Sequence, residues 1–148
     1  MFVYQTIQVK AEPKKREAEQ KYTKALGEFR ETEKEGTVRV RTWIADGFPR
    51  GVKDLIEAKK LDTSKQFSDK ANKLISDIYI KSGFEAIDDE MVPWGKVKNE
   101  FDTAIKYWGA SRTEIYEQLM AKAERVESRD NNPDKALKIY ELAEKYEK

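Results

Sequence analysis

The chain has 148 residues, with 29 basic and 28 acidic side chains, a net charge of +1, and no Cys or His. This length favours one domain, so we expect residues 1–148 to fold as a single domain. Dense charge of both signs beside 11% aromatic residues is typical of exposed helices and not of a disordered chain. The absence of Cys and His excludes disulfides, thiolate or imidazole zinc sites and Ser-His-Asp triads. We therefore predict a protein that is not an enzyme and holds no cofactor or metal.

The start of the sequence has no basic segment followed by a long apolar run, and no stretch is apolar enough to span a bilayer. We expect no membrane association and a cytoplasmic location. A virion component that assembles in the cytoplasm would have the same features.

The first ten residues are rich in β-branched and aromatic side chains, which favour extended structure. We predict an extended arm over residues 1–10, whose mate in the chain would be a strand at residues 37–44. An exposed strand edge is a template for another chain, so the arm either adds to a neighbouring copy or covers its own helices. The residues of this candidate assembly arm are Phe2, Val3, Tyr4, Ile7 and Val9.

A basic and aromatic segment spans residues 38–53, with an alternating strand-like start and a turn at residues 46–49. Cations interleaved with aromatic rings are typical of single-stranded nucleic-acid binding, where the charges meet phosphates and the rings stack on bases. A solvated strand face, or a surface for an acidic protein or a second copy, would show the same pattern. The candidate contact residues are Arg39, Arg41, Trp43, Phe48, Arg50 and Lys53.

Apolar residues at helical spacing predict six helices along the rest of the chain. The first follows Pro13, and a short second helix opens at Pro49. The third has a stripe with Leu74 and Ile75 in its middle, which we expect in the main core, and ends at Gly83. A capping box of Thr63 and Gln66 would begin that helix, and an acidic loop over residues 84–92 would follow it. The remaining helices begin after Pro93, at a Ser111 cap and at Asn132-Pro133. The predicted fold is a mainly α helical bundle of about six helices with a minor extended or β element near the N-terminus.

The predicted C-terminal hairpin, residues 112–147, carries Ala136, Tyr140 and Ala143 on one helix with Leu137 in the same stripe. This small-aromatic-small spacing resembles the second helix of a tetratricopeptide-type hairpin. A repeat array needs at least three copies at a fixed period, and the chain has no such series. The resemblance implies close antiparallel helix packing or a peptide-binding groove.

These features together predict a non-enzymatic interaction or assembly protein that acts through helical surfaces. Its partner would be a second copy, giving a homo-oligomer, or another protein. A viral or capsid-type structural subunit is one concrete form of this function. The alternative is a nucleic-acid-binding accessory protein that uses residues 38–53.

Overall fold

The structure is a computed structural model that describes residues 2–35, 44–45 and 47–147, with side chains at residues 12–31 and 47–147. Within these ranges the chain forms six helices and one short hairpin, which confirms the predicted mainly α fold with a minor β element. The elements are α1 (Phe2–Glu35), β1 (Ile44–Ala45), β2 (Phe48–Pro49), α2 (Val52–Leu61), α3 (Lys65–Ile87), α4 (Trp94–Tyr107), α5 (Ser111–Ser128) and α6 (Pro133–Glu144).

Residues 2–10 form the first turns of α1, so the extended arm predicted for the start of the chain is wrong. That prediction followed β propensity, which is a weak preference that its surroundings override. Ile7 and Ala11 are spaced as on one helix face, and seven-residue steps continue that face to Ala18 and Ala25. Ala18 and Ala25 are buried, so the start of α1 prolongs a helix whose later turns are packed.

The β element is a two-residue antiparallel hairpin, in which Ile44 lies opposite Pro49 and Ala45 opposite Phe48. Gly47 has a φ of 84°, the left-handed conformation that a tight hairpin turn requires. The turn is therefore shorter than predicted, because Phe48 and Pro49 belong to the second strand. Of the strand predicted over residues 37–44, Ile44 belongs to β1, and residues 37–43 lie outside the described residues.

Helix α3 begins one residue later than predicted and continues past its predicted end. Ser64, not Thr63, is the N-cap, and its side chain accepts a hydrogen bond from the backbone N–H of Phe67 at 3.4 Å. Gly83 lies inside the helix, where a Cβ would be 2.6 Å from Cε1 of Phe101. The glycine therefore permits a close approach of α4 and does not end α3. The predicted acidic loop accordingly begins at Asp88.

The ring of Phe101 lies at the centre of the core and is fully buried. It makes edge contacts with Phe84, at 5.0 Å between ring centroids, and with Tyr146, at 6.1 Å. These contacts join α3, α4 and the residues that follow α6. Leu74 and Ile75 are also buried, as predicted.

Helices α5 and α6 form the predicted C-terminal hairpin and pack extensively on each other. Asn132 caps α6 by accepting a hydrogen bond from the N–H of Lys135, and Pro133 occupies the first turn, as predicted. Ser111 does not cap α5 through its side chain. It is buried, and its Oγ lies 2.7 Å from Oγ of Ser76 on α3. Leu137, which its spacing places in the stripe of this helix, has 56% of its surface exposed.

Replacing Gly83 with Ala tests the contact between α3 and α4. We expect Gly83→Ala to lower the free energy of unfolding by about 1–3 kcal/mol, because the buried Phe101 ring has to move. The measurement is equilibrium urea denaturation. Gly27 on α1 has no atom within 4 Å of an added Cβ, so Gly27→Ala is the control. It should stabilise the protein by up to about 1 kcal/mol through helix propensity. Equal effects of the two substitutions would contradict the packing argument.

Candidate functional site

The structure places half of the predicted nucleic-acid contacts and leaves the others outside the described residues. Arg39, Arg41 and Trp43 lie outside the described ranges. Phe48 lies on β2 with 37% of its surface exposed. Arg50 and Lys53 follow it, at the turn before α2 and in its first turn, and both are exposed.

The charges around Arg50 are of both signs. Nε of Arg50 lies 3.9 Å from Glu28, and Nζ of Lys24 lies 3.7 Å from Asp54. A surface that attracts phosphates needs an excess of cations, because its affinity comes from releasing the counterions of the nucleic acid. In the described part of the segment, Arg50 thus lies beside a carboxylate of α1, and the ion pairs around it leave no clear excess of cations.

A groove of about 340 Å³ lies between α1 and α3, with Trp108 at one side. Its apolar and aromatic lining comes from Tyr22, Leu26 and Phe29 of α1 and from Leu74 of α3. The remaining lining residues are charged: Arg30, Asp69, Lys70, Lys73 and Asp77.

Most of the charges that line this groove are paired with each other or with residues beside it. Nζ of Lys70 lies 2.9 Å from Glu19 and 4.2 Å from the centre of the Tyr22 ring. Lys73 pairs with Asp77 on the next turn of α3 at 3.5 Å. Asp69 in turn pairs with Lys65 at 2.8 Å. The groove thus has an apolar base and a largely neutralised rim.

The sequence pattern gives only part of this groove. Tyr22, Leu26 and Phe29 recur at helical spacing, which marks one face of α1 without showing how completely a neighbour covers it. The structure leaves all three partly buried. How deeply these side chains are buried depends on the distance between α1 and α3, and the sequence pattern of a single helix does not reveal that distance.

Asp88, the first residue of the acidic loop, is bound by two lysines. Its two carboxylate oxygens accept hydrogen bonds from Lys122 of α5 at 3.0 Å and Lys135 of α6 at 2.9 Å. Burial raises the pKa of Asp88, but the two ammonium groups outweigh it and hold the pKa below its usual value. Asp88 therefore ties the C-terminal hairpin to the end of α3. Among the residues that the structure describes, no three acidic side chains converge as a metal site would require.

A half-buried carboxyl, Glu100, lies between α3 and α4. Burial raises the pKa of Glu100, against the opposing effects of Lys96 and of the Ser82 hydroxyl. Burial, together with the charge of Glu100, raises the pKa of Tyr79 to about 12, and Tyr79 stacks on Tyr107. General acid–base catalysis needs such a group at a cleft where a substrate can reach it. None of these residues lines the groove between α1 and α3. We therefore interpret the cluster as a packing contact between α3 and α4.

Comparison with known proteins gives no relative from which a function could be transferred. No protein-family model, curated protein or solved structure matches this chain. Within the described ranges, no helix combines the length and the apolar character needed to cross a membrane. The groove and the ion pairs beside it are therefore the basis for a functional proposal.

Removing the carboxylate of Asp88 tests how firmly the hairpin is held. Because the folded-state pKa is lowered, the stabilisation is complete above the ordinary carboxyl pKa of about 4 and is lost as the pH falls through the lower value. Asp88→Asn should cost about 1 kcal/mol at neutral pH, the scale of partly exposed ion pairs, and should make the acid side of the stability profile less steep.

The measurement is urea denaturation across a series of acidic and neutral pH values. Glu90→Gln removes one charge from an exposed position of the same loop and is the matched control. If Asp88→Asn and Glu90→Gln had the same effect on stability at every pH, Asp88 would not hold the C-terminal hairpin to the end of α3.

Proposed function

We propose that this protein is a non-enzymatic assembly protein that associates with further copies of itself through the groove between α1 and α3. The observation that supports the proposal is the combination of an aromatic and aliphatic lining with a rim of paired charges. Aromatic side chains in a concave site are the usual anchors of protein–protein contacts. A structural subunit, of a viral capsid or of another assembly, is one concrete form of this function.

Burial of the apolar lining would contribute part of the free energy of association. A volume of about 340 Å³ corresponds to roughly ten water molecules at about 30 Å³ each, enough for more than one aliphatic side chain. Each Å² of apolar surface removed from water contributes about 25 cal/mol. The partly buried Tyr22, Leu26 and Phe29 supply that surface, whereas Leu74, which also lines the groove, is buried.

The rim favours a protein over a nucleic acid as the occupant. Lys70 and Lys73 are already paired with carboxylates, and a phosphate would have to displace these partners. The alternative function, nucleic-acid binding by residues 38–53, rests on Arg39 and Arg41. It differs from the proposed function in its dependence on salt. Its affinity would fall steeply with salt, whereas association through an apolar groove would change little.

A charge placed in the groove tests the proposal. Leu26→Lys puts an ammonium group at the base of the groove, and because Leu26 is only partly buried, the long side chain can reach water without unfolding the core. The unmodified protein should show a mass above that of one chain, rising with concentration, in size-exclusion chromatography with light scattering. The Leu26→Lys variant should have the mass of a single chain at the same concentrations.

The control is Leu137→Lys, which makes the same change at an exposed leucine of α6. It should associate like the unmodified protein, and circular dichroism should show that both variants keep their helices. A single-chain mass for the unmodified protein, or association of Leu26→Lys equal to that of the control, would refute this function. Salt-sensitive binding of a labelled oligonucleotide by a single-chain protein would support the alternative.

A further inference from the structure

The charges along one side of α3 alternate in sign. Every fourth residue of the helix is charged, in the order Lys65, Asp69, Lys73, Asp77, Lys81 and Glu85. Because four residues turn about 40° more than one full turn, this row winds around the helix towards the core. Side-chain exposure falls from 89% at Lys65 to 29% at Asp77 and 14% at Glu85. The first four charges, which we call the alternating ridge, are therefore the ones that a partner can reach.

The alternating ridge borders the groove between α1 and α3. Asp69, Lys73 and Asp77 all belong to the groove lining, so a partner that covers the groove also meets these charges. Within the helix they are paired at 2.8 Å, from Lys65 to Asp69, and at 3.5 Å, from Lys73 to Asp77. An ammonium group has three N–H donors and a carboxylate two acceptor oxygens, so each charge can take a second partner of opposite sign.

We propose that two copies of this chain dock groove to groove around a two-fold axis, with their α3 helices antiparallel and their alternating ridges side by side. This inference rests on the proposed function and specifies how the second copy lies on the groove. The axis passes opposite the midpoint between Asp69 and Lys73. Each Lys73 then meets Asp69 of the other copy, and each Lys65 lies towards Asp77 of the other copy.

Charge complementarity selects the second copy and its direction. Read backwards, the ridge has a carboxylate wherever it has a cation when read forwards, so an antiparallel copy in this register brings no like charges together. A parallel copy in register would place every charge opposite its like. Ridges of every fourth residue lie along each other when two helices cross at about 50°, which is the commonest helix packing.

The same axis brings the two apolar linings together. Rotation about an axis that lies in the interface and is perpendicular to α3 reverses the helix but leaves the groove on the same side. Tyr22, Leu26 and Phe29, which are partly buried in the single chain, would then be covered by the same residues of the other copy. The apolar surface contributes affinity and the ridge determines orientation. A two-fold contact uses the same surface on both copies, so the assembly is a closed dimer.

Ridges of a single sign test this arrangement. Asp69→Lys with Asp77→Lys leaves four lysines, and Lys65→Asp with Lys73→Asp leaves four aspartates. Each variant alone should have the mass of a single chain in light scattering, with self-association weakened more than about tenfold, because like charges now meet between copies. An equimolar mixture of the two should recover the mass of two chains. Native mass spectrometry should show one chain of each kind in that dimer.

The matched control for the lysine ridge is Glu141→Lys with Glu144→Lys, which makes the same change of net charge at exposed positions of α6 that do not line the groove. It should associate like the unmodified protein, and circular dichroism should show that all variants keep their helices. If the two ridge variants remained folded but did not combine on mixing, the charges would not pair between copies and the inference would be wrong.

The outcomes separate this inference from the proposed function. If Leu26→Lys abolishes association while both ridge variants associate like the unmodified protein, the groove is the contact but the copies dock in another orientation, and only the inference fails. If Leu26→Lys and Leu137→Lys associate equally, the groove is not the contact and both fail. If the α6 control loses association together with the lysine ridge, the effect is one of net charge, and the paired ridges are contradicted.

Discussion

The Phe101 ring occupies the space that a side chain at position 83 would need, and the rest of the bundle is arranged around this contact. Because a Cβ at Gly83 would lie 2.6 Å from the ring, the glycine allows α4 to approach α3 more closely than any other residue could. The ring is then covered by Phe84 and Tyr146. The Tyr146 hydroxyl donates a hydrogen bond to Asp102 of α4 at 2.9 Å, so one buried ring also determines where the end of the C-terminal hairpin lies.

The groove follows from how α1 is attached to this core. Helix α1 packs extensively on α2 and only slightly on α3, which leaves the groove between α1 and α3. Where they are close, Tyr22 meets the edge of Phe67 at 6.1 Å, and Lys70 lies over the Tyr22 ring. Further along, Leu26 and Phe29 face the groove and are only partly buried. The apolar surface available for binding is therefore what remains of a helix face that its neighbour does not fully cover.

The sequence predicts the helices well where periodicity and caps agree, as at Pro93 and at Asn132-Pro133, and less well where tertiary packing decides. Gly83 reads as a helix end because an isolated glycine often ends a helix, and only the position of Phe101 reveals its other role. Leu137 has the spacing of a stripe with Tyr140, but the buried face of α6 is formed by Ala136, Ile139, Leu142 and Ala143, and Leu137 lies on the other side of the helix. The groove could not be predicted, since it depends on the angle between two helices that are distant in sequence.

Balanced charge explains why an apolar contact is the more productive hypothesis for this surface. With 29 basic and 28 acidic side chains, cations tend to find carboxylates nearby, as Arg50, Lys70 and Lys73 do. Exposed pairs of this kind contribute little to stability, about 0–1 kcal/mol each, but they cancel the local field that would attract a polyanion. Under the proposed function, recognition depends on shape and apolar area, which the groove between α1 and α3 offers through the partly buried Tyr22, Leu26 and Phe29.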